Sequence, residues 1–505
     1  MSRNHKNVAY LMFVVVLALA ALDQTILGTA LPVITRELRG DSQVSWVFSA
    51  YLIASTVVIP LYGKAADAYG SKLMLLTAIS LFFVGSLACG FSANMNQLII
   101  SRGIQGAGAG GLMTLTMLGV VEMYSPDVRG KYQALLAASY GISTMFGPLL
   151  GGLLVENLSW QWAFFINLPG AFLALVILAI YFQGEVVREA QKVDLIGAAM
   201  LAAALIVGLL ATGHESGVAE TVGGQWILIL GAVALFVTFV VIQLRTRNPV
   251  LPISLFSNPV FAAAAGISAV SGVALFAGVV FLPIYLQTAL MQTPMSSAWH
   301  LLPLMFGITL SAIAGGKILR AAGPARRLAM TGGLLMTLSF CAVALVFRFF
   351  PANALFLSGA TFPLGLGIGL IIPLVTIVSQ YSAPPQHLGI GTATPIMIRA
   401  LGGAFGVAVL GSFLTGEMAK RLDGQGQGLG EMAKPGRGHD LGLSHQVFAN
   451  AFAGAAENMF WIVAAVCVLA LVGARLLPTR LSGAAPQVAR PSRVGPALQV
   501  AKPPR

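Results

Sequence analysis

The chain reads as an all-α protein built into a membrane, and three observations carry that reading. Of its 505 residues, 57% are hydrophobic and only 9% are charged, where soluble domains carry about 25% charged residues. Mean hydropathy is +0.85. The apolar residues gather into fourteen runs near 8–31, 44–62, 73–92, 96–121, 132–155, 162–183, 194–213, 224–243, 260–287, 296–316, 327–348, 353–378, 389–415 and 453–477, each close to the ~20 residues that a helix needs to cross a bilayer.

The connections between runs set the orientation. Every second one is basic: Lys64 and Lys72; Arg129 and Lys131; Arg188 and Lys192; Arg245 and Arg247; Lys317, Arg320, Arg326 and Arg327. The connections 93–97, 156–162, 213–224 and 285–296 hold no Lys or Arg. The positive-inside rule then predicts both termini in the cytoplasm. Arg36, Arg39 and the basic residues of 416–447 run against the rule, and the other loops outweigh them. The net charge of +12 is spread over these short clusters. It forms no basic face with interleaved aromatics, so nucleic-acid binding is excluded. Arg3 and Lys6 ahead of "ALAALD" imitate a secretory signal, but the apolar run continues past Asp23 to Leu31, so the segment is expected to stay as the first span.

Cys89, Cys341 and Cys467 lie inside apolar runs without CxxC spacing, which implies neither a disulfide framework nor a metal site. The chain contains no Walker loop, HExxH or GxSxG. No enzyme chemistry and no cofactor are expected, and the energy for any transport would come from an ion gradient.

Two internal echoes point to similar halves. "GKAADAYGSK" (63–72) matches "GKILRAAGPARR" (316–327), and "RGKYQALLAASYGISTMFG" (129–147) matches "LGIGTATPIMIRALGGAFG" (388–406). Transporters are often built from repeats with the substrate site between them.

The chemistry starts at Asp23, about two thirds of the way along the first run. A carboxylate at mid-membrane costs roughly 3 kcal/mol on insertion scales, so it is expected to serve as a reversible proton site, tuned by Gln24 and Thr25. Arg102 opens the fourth run and cannot lose its proton, so it must be paired or line a wet cavity. Gln105 shares its helix face. Gly106 and Gly110 permit close helix approach, and no strand precedes them, so they form no phosphate loop. Ser139, Ser143, Gly147 and Gly151 form a smooth stripe, and Pro148 permits a bend. The segment 63–72 reads as a tight turn that latches by charge pairing, with Asp67 and Lys72 facing Glu122 and Arg129.

These residues resemble the major facilitator superfamily, in its fourteen-helix drug:proton antiporter branch (the EmrB/QacA type). "LDQTILGTALP" is similar to that branch's first-helix motif. "GKAADAYGSK" resembles its loop motif at Gly63, Asp67, Gly70 and Lys72. "RGIQGAGAGG", "GPLLGG" (147–152) and "WQWAFFINLPG" (160–170) resemble three further motifs. Ala68 and Ser71 depart from the loop motif where basic residues are usual, Gly28 and Thr29 depart from the first-helix motif, and Ser143 replaces the first glycine of the antiporter motif.

The resemblance implies two six-helix bundles, 8–183 and 256–477, flanking two extra helices over 194–243. A short cytoplasmic N-terminus (1–7), an outside loop (416–452) and a disordered cytoplasmic tail (478–505) complete the plan. It further implies a bacterial inner-membrane exporter of amphipathic, often cationic drugs in exchange for protons. Proton coupling would fall on Asp23 and Arg102, the gate on Gly63, Asp67, Gly70, Lys72, Glu122 and Arg129, and the antiporter motif on Gly147, Pro148, Gly151 and Gly152. From position and side-chain type, the cavity walls are expected at Gln24, Tyr51, Gln105, Tyr140, Asn167, Phe281 and Tyr285. His300 is a further titratable residue, more simply read as packing. A periplasmic adaptor and outer-membrane channel are partners that this branch can use. A same-fold exporter of an endogenous metabolite or siderophore, or a proton symporter, would share the scaffold.

Overall fold

The computed structural model describes residues 3–38, 44–184, 194–210, 222–246, 249, 251–318, 324–384, 387–423 and 445–479. Among these residues the regular structure is helical, without a strand. In chain order the helices are α1 (Arg3–Leu38), α2 (Val44–Tyr69), α3 (Ser71–Gly90), α4 (Met95–Met123), α5 (Pro126–Asn157), α6 (Trp162–Phe165), α7 (Asn167–Tyr181), α8 (Leu195–Leu210), α9 (Val222–Arg245), α10 (Pro259–Phe276), α11 (Leu282–Thr288), α12 (Pro294–Ile318), α13 (Ala325–Phe349), α14 (Ala354–Ser382), α15 (Leu388–Asp423) and α16 (His445–Leu476).

Twelve segments among the described residues are long and apolar enough to cross a membrane, with α6–α7 and α10–α11 each counting as one. α5 is outside that set, and the apolar part of α8, Ile196–Gly208, is shorter than a full crossing. The run expected as one helix over 260–287 is interrupted by a π-helical turn at Ala277–Phe281. Pro283 lies two residues beyond it, and its ring and missing N–H displace the preceding turn.

Two groups of helices can be told apart, and one main apolar core runs through both. In the first, α1 packs on α5 and α7, α3 on α4 and α7, and α2 on α4. In the second, α12 packs on α14, α13 on α14 and α16, and α10 on α14, α15 and α16. The groups meet where α5 lies along α12 and α2 along α15. α8 and α9 pair with each other, and α8 leans on α2. Asp194 fixes the foot of α8 by accepting from the Gly197 N–H at 2.9 Å and from Gln243 of α9 at 2.8 Å.

The glycine run of α4 explains its central place. A Cβ on Gly106 would lie 2.4 Å from the Tyr51 carbonyl oxygen, and one on Gly108 would lie 2.3 Å from the Phe82 nitrogen. α4 is thus clamped between α2 and α3 at backbone contact, the close approach that small residues allow. Gly147 plays the same part between α5 and α1, where a Cβ would overlap the Thr25 hydroxyl. Gly152 does not: a Cβ there would meet nothing within 4 Å.

One end of the bundle gathers the start of α1, the end of α4 and the start of α5. Lys6 Nζ donates to the Met123 carbonyl at 2.6 Å and the Tyr10 hydroxyl to that of Tyr132 at 3.0 Å. Of the sequence expectations, the core of the loop 416–452, most of the tail 478–505, and the basic residues Arg188, Lys192, Arg247 and Arg320 lie outside the described residues.

Candidate functional site

Asp23 is 2% exposed, in the middle of α1. Its carboxylate Oδ2 accepts from Arg102 Nη1 at 2.6 Å, and its Oδ1 accepts from Gln105 Nε2 at 2.7 Å and from Asn167 Nδ2 at 2.8 Å. Arg102 and Gln105 share one face of α4, as their three-residue spacing requires. Asn167 opens α7. Arg102 is fully buried, and its guanidinium also donates to Gln105 Oε1 at 2.7 Å and to the Val47 carbonyl at 3.3 Å. The Tyr51 ring lies 4.1 Å below it, a cation–π contact that replaces lost hydration on that side. Ser86 of α3 closes the cluster, accepting from Gln105 Nε2 at 2.7 Å.

An isolated buried carboxylate or guanidinium costs several kcal/mol in desolvation, and the pair is tolerable only when its remaining donors and acceptors are met. Here they are. Tyr51 thus clamps Arg102 through its ring face. The expected partners of Asp23 change as well. Thr25 turns its hydroxyl back to the Ala21 and Leu22 carbonyls. Gln24 accepts from the Tyr140 hydroxyl at 3.0 Å. Neighbours one and two positions along a helix point about 100° and 200° away, so Asp23 is served from α4 and α7.

Phe281 and Tyr285 do not join this cluster. Tyr285 is packed against Phe347 and Phe452, and its hydroxyl donates to the Pro351 carbonyl at 2.9 Å. Phe281 lies in the π-helical turn, facing Gly411 of α15. His300 Nδ1 is 2.6 Å from the Ser358 hydroxyl, which ties α12 to α14.

The segment 63–72 is helix rather than free turn. α2 continues through Gly63 and Asp67, and only Gly70, at φ 92°, reverses the chain before α3. That φ is open to glycine without a Cβ penalty. Among the described residues Asp67 has no basic side-chain partner and accepts from the backbone N–H groups of Gly389 at 2.7 Å and Ile390 at 3.2 Å. It thereby caps the first turn of α15, where unpaired N–H groups and the helix dipole favour an anion. Gly63 permits the approach, since a Cβ there would be 2.7 Å from the Gly389 carbonyl. Lys72 Nζ donates to the Ala179 carbonyl at 2.6 Å, Arg129 Nε to that of Tyr124 at 2.9 Å, and Ser71 to Glu122. Gln133 of α5 and Gln380 of α14 add a further contact between the groups, at 3.3 Å. Burial and the nearby Lys64 ammonium hold the imidazole of His387, just ahead of α15, below its usual range.

Three participants escaped sequence reading. Ser86 is one hydroxyl in an apolar run, with no signal attached. Gly389 was visible only through its echo of Gly130. Arg399, alone in the apolar run 389–415, carries the same signal that singles out Asp23 and Arg102.

The comparisons agree with this architecture. The family model described as Major Facilitator Superfamily matches residues 13–407. The chain is 31% identical over 419 residues to the "Multidrug transporter protein MdtP" of Bacillus subtilis, covering 81% of this chain and 75% of that one. It is 28% identical to the "Multidrug resistance protein 3" of the same organism, covering 85% of this chain and 84% of that one. The solved human organic anion transporter MFSD10 (TETRAN) superposes with a TM-score of 0.62 over 94% of this chain and 100% of that one, at 15% identity. With its helices and buried charges so arranged, the chain is a multi-pass membrane protein, a transporter rather than an enzyme, and belongs to the major facilitator superfamily.

Proposed function

We propose that the protein exports amphipathic or cationic small molecules across a bacterial cytoplasmic membrane in exchange for protons, by alternating access. The observation that carries this reading is the buried Asp23 carboxylate, held by Arg102, Gln105 and Asn167 on two other helices. Protonation of Asp23 would cancel its charge, weaken the Arg102 pair and loosen α1 from α4 and α7. Substrate arriving from the other side would compete with that proton. The multidrug names of the two Bacillus relatives support the substrate class. Asp67 on the start of α15 supplies a latch that one of the two states must release.

In this reading the protein is a fourteen-helix antiporter of the EmrB/QacA type. Its bundles span 8–183 and 256–477, α8 and α9 are the two extra helices, and both termini are cytoplasmic. The proton gradient replaces any cofactor, and a periplasmic adaptor with an outer channel is an optional partner.

The test uses purified protein in proteoliposomes with an imposed pH gradient and an internal pH dye. Adding ethidium should collapse the gradient with wild type and leave it intact with Asp23→Asn at equal protein abundance. If Asp23→Asn still couples dye movement to protons, Asp23 is not the coupling site.

A further inference from the structure

Arg399 projects from α15, inside the apolar run 389–415. A guanidinium stays charged and offers five donors, and such a group within a membrane is paired or lines a wet cavity. Arg102 meets that demand with a carboxylate, an amide, a carbonyl and an aromatic ring. Arg399 does not. Among the described residues its side chain donates only to the Met113 thioether sulfur, at 3.4 Å, a weak acceptor. The ion pairs Asp23–Arg102, Arg348–Glu457 and Glu417–Arg421 do not involve it.

Its position is fixed by packing. A Cβ on Gly272 of α10 would lie 2.0 Å from the Arg399 carbonyl, so α10 and α15 touch backbone to backbone at this level. From there the side chain crosses to Met113 of α4, from the second helix group to the first. Tyr140 of α5 is within electrostatic reach, and its hydroxyl is hydrogen-bonded to Gln24, the neighbour of Asp23. The uncompensated cation therefore stands at the seam that alternating access must open, one tyrosine away from the Asp23 helix.

We propose that Arg399 is the recognition point for an oxyanion on the transported molecule, a carboxylate above all, so that amphipathic cargo is taken as a zwitterion or anion in preference to a bare cation. A carboxylate there would accept paired, charge-assisted hydrogen bonds from the guanidinium, with the Tyr140–Gln24 pair beside it. This rests on the transport reading and, within it, ranks amphipathic molecules that carry a carboxylate above bare cations such as ethidium.

The experiment is equilibrium binding of the purified full-length protein in detergent at neutral pH, read by fluorescence anisotropy. The probes are a rhodamine bearing a free benzoate and the methyl ester of the same dye, which differ only in the carboxylate. Wild type should bind the acid roughly tenfold or more tightly than the ester. Arg399→Gln should lose that difference by weakening the acid alone, and Arg399→Lys should retain part of it. Equal binding of the two dyes, absence of acid binding, or an acid preference that survives Arg399→Gln would overturn the proposal. No gradient is involved, so an acid preference that persists while Asp23→Asn still couples would sink proton coupling at Asp23 and leave the Arg399 site standing.

Discussion

The two helix groups handle buried charge in opposite ways. The first encloses a carboxylate and a guanidinium and meets both of them with side chains from α1, α3, α4 and α7. The second is apolar inside: from Pro259 to Gly316 the chain has no Asp, Glu, Lys or Arg. Its interior is built instead from ring contacts such as Phe340 and Phe347 with Phe460, at 5.8 and 5.4 Å, and its mid-membrane cation, Arg399, faces the other group. The contrast teaches a division of labour. A titratable site needs a pre-built polar cage to be tolerable in a low-dielectric interior, and only one group has one. The other contributes rigid apolar packing and a charge left for something outside the fold.

The comparison is broken most severely by dismantling the cage. Arg102→Leu leaves Asp23 buried without its counter-charge, which should cost about 3–5 kcal/mol. It should appear as a marked fall in the unfolding midpoint of the purified protein, while a conservative change in the apolar interior, Phe460→Leu, should cost less. If Arg102→Leu unfolds with the wild-type midpoint, the pair is not the keystone of the first group.

A smaller effect is expected where the groups meet. Asp67→Ala removes the cap on α15 and should weaken closure by about 0.5–2 kcal/mol. Spin-label distances between α2 and α15 should then broaden toward the open form. An unchanged distance distribution would assign closure to the Gly63–Gly389 backbone contact and not to the carboxylate.

The smallest effect belongs to Arg348, whose side chain is 61% exposed and pairs with Glu457 at 3.1 Å. Exposed pairs are worth about 0–1 kcal/mol. Arg348→Ala should leave unfolding and transport near wild type, which makes it the control for charge deletion as such.

Much of this was legible from the order of residues alone. Asp23 and Arg102 declare themselves because ionisable groups are rare in apolar runs, and Arg399 answers to the same rule. The glycines of α4 announce close packing by their spacing. What was not legible is partnership. Asp23 and Arg102 stand 79 positions apart, and nothing local joins them. Asp67 looked set to pair with basic side chains because its loop is rich in charge. Its partner is instead the start of α15, 322 positions on, a set of backbone N–H groups that no residue type advertises. Phe281 and Tyr285 had the right character for cavity walls, but the direction of a side chain around its helix axis is set by packing, which turns Tyr285 into the interior of the second group.

The order of residues alone makes the chain helical and membrane-embedded, with chemistry that turns on a few buried charges, because the cost of exposing backbone or charge to lipid acts on every residue wherever it packs. Which charge meets which is settled by helix packing. Pairing energies depend on distances of a few ångströms between helices remote in the chain, and those distances exist only once the helices have packed.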